Sequence, residues 1–371
     1  MVKRHERVFL SAFQKLFFRR PREGKLLLER FGAARAVFEA DVFAQTEMEG
    51  IRVAHWDALA RFRAWGAAEE MSRRLQSLGG ASLSLVDPAY PPLLRDVYDA
   101  PPVISVRGRG KLPSDVPAVA IVGSRKATRL GLDMAAEIAG GLAAKGFIIV
   151  SGMAYGIDAA AHRGALSAGG ATIAVLGCGP DVVYPPSHQN LARDIMRAGL
   201  LLSEFPLGEQ PLPANFPQRN RIISGLSVAT VIVEAEARSG SLITARFALE
   251  QGREVMAVPG PASTPRARGT NGLIREGALL VEGADDVAEA LQPLVVSMGF
   301  TERAGHLKND ADKDTQIFGA LSSRKAVGID ELAARTGSPV RHLLEELTLL
   351  ALEGRVEELP GRRWRLKEKH G

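Results

Sequence analysis

Ala118-Val119-Ala120-Ile121-Val122, followed at once by Gly123-Ser124-Arg125, is the stretch that decides the fold. Five apolar residues without alternation read as a strand buried on both faces, and the glycine closes it with a turn. Short runs of the same kind recur at residues 147–150, 171–176, 200–202, 228–233, 254–258 and 278–281. Between most of them lie alanine- and leucine-rich stretches with helical spacing, such as 130–145 and 157–168. Strands that alternate with helices, and that are apolar throughout, predict an α/β fold: a Rossmann-like, doubly wound parallel sheet with right-handed crossovers. That domain is expected to span residues 79–296.

Outward from this core the character of the chain changes. Residues 1–78 read as an all-helical domain. Leu26, Leu27, Leu28, Phe31, Val37 and Phe38 recur at spacings of three and four, Gly32 marks a helix end, and a second stripe runs through Leu59, Phe62, Trp65 and Met71 over residues 56–78. Residues 87–117 are proline-rich, which forbids long helices and predicts an ordered connector with a short strand at 103–106. Residues 297–313 lose periodicity, as a linker does. Residues 314–371 form a separate unit, with helices expected at 315–321, 329–335 and 339–352 and a hairpin turning at Pro360-Gly361. Ser338-Pro339 supplies the N-cap and first position of the third helix. Three helices followed by a hairpin is the winged-helix order.

The composition is that of a globular chain: 371 residues, 46% hydrophobic and 24% charged. No apolar run approaches the roughly 18 residues of a membrane span, and no leader-like apolar segment opens the chain, so no membrane span and a cytoplasmic location are expected. A single cysteine, Cys178, excludes a disulfide framework and any multi-cysteine zinc site. The formal charge of +5 gathers in the first 78 residues, where 15 Lys and Arg face 10 Asp and Glu. A surplus that small says little about nucleic acid; local clusters of arginine say more.

In an open parallel sheet, ligands sit beyond the carboxyl ends of the strands. There this chain carries Gly123-Ser124-Arg125, then a loop from Ser151 to Asp158 that includes Gly152, then Gly177-Cys178-Gly179, and finally the stretch from Glu234 through Ser239-Gly240-Ser241. Glycines let backbone N–H groups approach an anion, and each following helix points its positive end at it. No dinucleotide fingerprint occupies the first turn and no phosphate-binding GxxxxGK[ST] is present, so neither nicotinamide chemistry nor ATP chemistry of that type is expected. Arg125 suits a phosphodiester, because its fork pairs with phosphate oxygens, or else a surface carboxylate. In Asn215-Phe216-Pro217-Gln218-Arg219-Asn220-Arg221, an aromatic and two arginines bracketing an asparagine open a helix near the same face. Phe216 under a base with Arg219 and Arg221 on phosphates is one reading; Phe216 in the core with the arginines capping loops is the other. Asp158 and His162 share a helix face, yet a capping Asp and a hydrogen-bonded His explain them better than an acid–base pair, and no catalytic residue or metal ligand is assigned. No cofactor is expected.

Gly-Ser-Arg after the first strand, Ser151-Gly152-Met153-Ala154-Tyr155-Gly156-Ile157-Asp158 after the second, Phe216 through Ser227, and Arg238-Ser239-Gly240-Ser241-Leu242-Ile243-Thr244-Ala245 together resemble the DNA-processing protein A (DprA/Smf) family. The likeness covers about residues 87–291, with four motifs in order. It implies an N-terminal SAM-like helical domain, a homodimer through the Rossmann-like domain, and a protein that binds incoming single-stranded DNA, shields it and loads the RecA recombinase. By motif, Gly123, Ser124, Arg125, Gly152, Phe216, Arg219, Asn220, Arg221, Ser239, Gly240 and Ser241 would line the DNA groove. Two positions depart from relatives: Pro213 stands where many carry lysine, and their Gly-Ile/Val-Gly-Pro element is absent around residues 19–24. The framework is also similar to nucleotide-cleaving phosphoribohydrolases, whose Pro-Gly-Gly-x-Gly-Thr loop is replaced here by the stretch from Glu234 to Ser241.

Overall fold

The deciding stretch forms strand β3 (Ala118–Val122), interior to a nine-stranded sheet in which all five of its residues are buried. In this computed structural model, residues 5–40, 48–298, 300, 320–321, 326–336, 340, 343–344, 347, 350–351, 356–359 and 363–366 are described. The other strands of the sheet are β1 (Gly80–Ser84), β2 (Val103–Gly108), β4 (Ile148–Ser151), β5 (Thr172–Val175), β6 (Leu200–Ser203), β7 (Ala229–Ile232), β8 (Glu254–Ala257) and β9 (Leu279–Leu280). They lie in the order β1-β2-β6-β5-β4-β3-β7-β8-β9. From β3 the chain winds outward through β4, β5 and β6, then returns to β3's other side as β7 and continues to β8 and β9, all parallel. The order therefore reverses between β3 and β7, and a crevice opens where the chain leaves them.

The sheet is not wholly parallel. The connector strand β2 pairs antiparallel with β6, and β1 adds antiparallel to β2, so the proline-rich entry segment caps one edge. β1 escapes sequence reading because Gly80-Ala81-Ser82-Leu83-Ser84 lacks β-branched residues and is only partly buried.

Among the described residues, eight helices serve this sheet: α6 (Pro92–Arg95), α7 (Arg129–Ala144), α8 (Ile157–Ser167), α9 (Gln189–Ala198), α10 (Asn215–Gly225), α11 (Ser241–Glu250), α12 (Arg268–Arg275) and α13 (Ala284–Ser297). Ahead of them come α1 (Glu6–Phe17), α2 (Pro21–Phe31), α3 (Ala34–Phe38), α4 (Val53–Ala60) and α5 (Trp65–Ser77). α2 ends at Gly32 as its spacing predicts. The continuous helix expected over 56–78 is instead two, broken where Phe62 turns inward to meet Trp65 and Phe38. Phe13, Leu27, Leu28 and Trp56 share one hydrophobic cluster with Ala118, Val150 and Leu202 of the sheet. Each fully buried large apolar side chain contributes about 1.5–3 kcal/mol.

The chain divides into two compact units, Met1–Phe300 and Thr301–Gly371. In the second, strands Val327–Gly328, Val356–Leu359 and Arg363–Leu366 form an antiparallel sheet, with Arg363–Leu366 central. Helix Ile329–Thr336 and the buried Leu343, Leu347 and Leu350 close over Trp364. This is the winged-helix arrangement, with a short extra strand that the sequence pattern does not announce. The expected helix at 315–321, the linker beyond residue 300, the Ser338-Pro339 cap and the Pro360-Gly361 turn fall outside the described residues, apart from Ala320 and Leu321, both buried. Among the described residues no helix is long and apolar enough to cross a membrane.

Candidate nucleic-acid interface

The crevice between β3 and β7 is stitched by one carboxylate. Glu234, two residues beyond β7, accepts a hydrogen bond from the Thr128 N–H at 2.9 Å and a second from the Thr128 hydroxyl. Thr128 is the N-cap of α7, its hydroxyl accepting from the Gly131 N–H at 3.0 Å. The Glu234 carbonyl in turn accepts from the Ser124 N–H at 2.7 Å. The Gly123-Ser124-Arg125 turn is thus clamped to the neighbouring strand's loop, and Ser124 tightens it further by accepting from the Lys126 N–H at 3.1 Å. Arg125 comes out of this turn exposed.

The loop after β4 sits directly beneath it. Gly156 has φ +76°, and an added Cβ would run into the Ser124 carbonyl oxygen, so only glycine closes this junction. Before it, Met153 adopts a left-handed φ of +56°, unfavourable for a side chain of its kind. Its neighbours hold it there. Asp158 accepts from the N–H groups of Gly152 (3.2 Å) and Ala154 (3.4 Å), and the His188 Nδ1–H donates to the Met153 carbonyl at 2.9 Å. Burial raises the Asp158 carboxyl, opposed by the nearby Arg219 charge. His162 donates from Nδ1 to Thr172 Oγ1 at 2.7 Å, and burial pushes it down to about 3, so it is neutral at physiological pH. Neither residue is free for acid–base work, and burial lifts the Cys178 thiol to about 12, leaving it protonated.

Phe216 is half-buried at the start of α10, packed so closely on Gly177 that an added Cβ there would lie 2.8 Å from the ring. The Arg125 guanidinium stands 5.4 Å from the ring centroid, and Tyr184 lies 5.5 Å away, tilted by 42°. Aromatic face and cation are therefore adjacent at the mouth of the crevice. Asn220, half-buried, donates to the Gly240 carbonyl at 3.5 Å and links α10 to the loop after β7. In that loop Ser239 and Ser241 share a hydroxyl contact of 2.7 Å, and Ser239 Oγ accepts the Ser241 N–H at the start of α11.

The two arginines of this motif are placed differently from their expected role. Arg219 is 3% exposed. Its guanidinium donates to the Gly152 carbonyl at 2.8 Å and to the Val175 carbonyl, tying the ends of β4 and β5 to α10. Burial lowers it to about 10, still cationic at neutral pH, with Asp158 holding it up. Arg221, two positions on and about 200° around the helix, is 2% exposed and pairs with Glu204 (2.7 Å) and Asp99 (3.0 Å). The reading of Arg219 and Arg221 as phosphate ligands is corrected: both are buried inside the protein, and what they grip is the protein itself. Sequence offers loop capping as one of two readings and cannot choose between them, because the partners are carbonyls and carboxylates far away along the chain.

The remaining residues do converge. Gly123, Ser124, Arg125, Gly152, Phe216, Asn220, Ser239, Gly240 and Ser241 surround the carboxyl ends of β3, β4, β5 and β7. Two aromatics that the sequence reading gave no role, Tyr155 and Tyr184, join them from the loops after β4 and β5. Their sequence signal is a single aromatic in each of two glycine-containing loops that follow a strand.

Residues 81–292 match the family model of DNA recombination-mediator protein A, and residues 302–362 match that of the DprA winged helix domain. The chain belongs to the DprA/Smf family. Among its relatives in that family, protein Smf of Escherichia coli K12 is 39% identical over 282 residues, 75% of each chain. The putative DNA processing protein DprA of Mycobacterium tuberculosis H37Rv is 37% identical over 320 residues, 81% of this chain and 82% of the other. Among solved structures, DprA of Streptococcus pneumoniae superposes with a TM-score of 0.60 at 34% identity, covering 78% of this chain and 98% of its own. DprA of Helicobacter pylori, solved for its single-stranded DNA binding mode, gives 0.52 at 29% identity over 57% of this chain and 95% of its own. DprA architecture thus accounts for both units of the chain.

Proposed function

We propose that this protein binds single-stranded DNA across the β3–β7 crevice, shields it from nucleases and delivers it to the RecA recombinase during DNA processing in transformation. The observation that carries the reading is the exposed Arg125 beside the half-buried Phe216 ring. A cation for the backbone next to an aromatic face for a base is how sequence-tolerant binding of unpaired strands is built. The glycine- and serine-rich loops supply backbone N–H groups, and Gly123, Ser124, Gly152, Asn220, Ser239, Gly240 and Ser241 shape the floor. The single-stranded DNA binding of the Helicobacter pylori relative supports the same assignment.

The protein acts as a binder rather than a catalyst in this reading, and works in the cytoplasm. Glu234, in the place of the phosphoribohydrolase loop, is already engaged by Thr128. A homodimer through the Rossmann-like domain is supported by the β9 edge, where Leu279 and Leu280 are 45% and 46% exposed on a strand whose outer side is unpaired among the described residues. Labelled oligo-dT and its matched duplex, titrated at low salt, test the reading: preference for the single strand is expected, together with nuclease protection and faster RecA assembly on the protected strand. No binding of oligo-dT, or release of free base from nucleoside monophosphates, would overturn it.

A further inference from the structure

We propose that Tyr155 and Tyr184 form a second base-stacking platform beside Phe216, so that the site holds successive unpaired bases and rejects the duplex; this rests on the single-stranded DNA reading above. Contacts and short stretches of chain link these rings into one circuit. Phe216 touches Tyr184, with ring centroids 5.5 Å apart. Tyr184 opens the segment that carries Ser187 and His188. The Tyr155 hydroxyl meets Ser187 Oγ at 3.0 Å, and its ring stands edge-on to His188 at 5.0 Å. Tyr155 precedes Gly156, whose backbone is pressed against Ser124 and Arg125, and Arg125 returns to Phe216. The rings of Phe216, Tyr184 and Tyr155 and the Arg125 guanidinium therefore rim a single mouth.

Both tyrosines are held open in place. Tyr155 is 50% exposed, unusual for a large aromatic in a loop as tightly braced as the one after β4, and Tyr184, in the loop after β5, is 39% exposed against Phe216. The bracing falls on the backbone behind Tyr155: Asp158 takes the N–H groups on either side of the left-handed Met153, and His188 takes its carbonyl. A stiff loop that presents an uncovered ring lowers the ordering cost of covering it. Flat apolar faces next to a phosphate-binding cation fit nucleobases attached to a backbone. Paired bases, stacked within a duplex, have no free face to offer. Arg125 then serves affinity for any strand, while the tyrosines serve the choice of the unpaired one.

The test measures oligo-dT and matched duplex side by side for the full chain and for Tyr155→Leu and Tyr184→Leu, which keep apolar bulk without a ring. A single 2-aminopurine moved along the oligo reports stacking position by position. Expected is a loss of roughly 5- to 150-fold for oligo-dT in each variant, with duplex binding and the salt slope unchanged. Quenching at neighbouring positions in the parent should fall to fewer positions in each variant, and Tyr155→Phe should behave as the parent. If the parent binds oligo-dT and both leucine variants match it in affinity and quenching, the platform is overturned and the functional reading stands. Equal weakening for single strand and duplex overturns it too. If the parent does not bind oligo-dT, the functional reading itself has failed.

Discussion

Replacing Arg221 with methionine separates a buried structural arginine from a DNA ligand. Glu204, 1% exposed, accepts from Arg221 at 2.7 Å, and Asp99, 38% exposed, closes the other side of the guanidinium at 3.0 Å. Asp99 keeps its water and its share is screened. Glu204 does not, and removing the partner of a buried charge costs about 3–5 kcal/mol. Burial already pushes the Glu204 carboxyl up, and without Arg221 it rises further. A folded-state pKa above the unfolded one favours folding at low pH and loses that benefit as pH rises, so the penalty is largest at neutral pH and shrinks on acidification. Urea unfolding followed by circular dichroism across pH reads this directly, and pairing Arg221→Met with Glu204→Met should recover much of the loss. An Arg221→Met protein that unfolds within about 0.5 kcal/mol of the parent while its salt slope for oligo-dT drops by about 0.7 would make Arg221 a DNA ligand rather than a structural residue.

Other outcomes follow from the same structure. Phe216→Ala should weaken oligo-dT binding roughly 5- to 150-fold without changing the salt slope; a lower slope would make Phe216 a residue that positions phosphates. His162, held at about 3 by burial among Arg219, His188 and Arg163, contributes stability above its unfolded pKa near 6.5 that is lost as pH falls towards 3. His162→Gln should flatten that part of the stability–pH curve, and an unchanged curve would assign the loss to other groups. If the proposed homodimer forms through β9, Leu280→Asp should shift sedimentation towards the monomer while leaving unfolding unchanged; an unaltered sedimentation profile would count against β9 as the dimer contact.

Legibility follows the range of the interactions. β3 is readable because five consecutive apolar residues closed by a glycine are too short for a helix and fit a strand covered on both faces, and the loop after β4 carries Gly156 where it meets the β3 turn. β1 is not, since an edge strand of small and polar residues is set by its pairing with β2 rather than by its own pattern. The break between α4 and α5 comes from the aromatic cluster of Phe38, Phe62 and Trp65, a tertiary event inside a sequence with helical spacing. Within the site, Arg125 and Phe216 are legible by type and position. Arg219 and Arg221 look the same as Arg125 in sequence, and only their distant partners, the carbonyls of Gly152 and Val175 and the carboxylates of Glu204 and Asp99, turn them inward.

In the proposed function, Arg125 meets the backbone of a single strand at the crevice. The direct measurement is the slope of log binding constant against log salt for oligo-dT, in the parent and in Arg125→Ala. One lost phosphate contact lowers the slope by about 0.7, so Arg125→Ala should show that drop together with weaker binding. Parallel slopes for the two proteins would contradict it, because they would mean that Arg125 touches no phosphate.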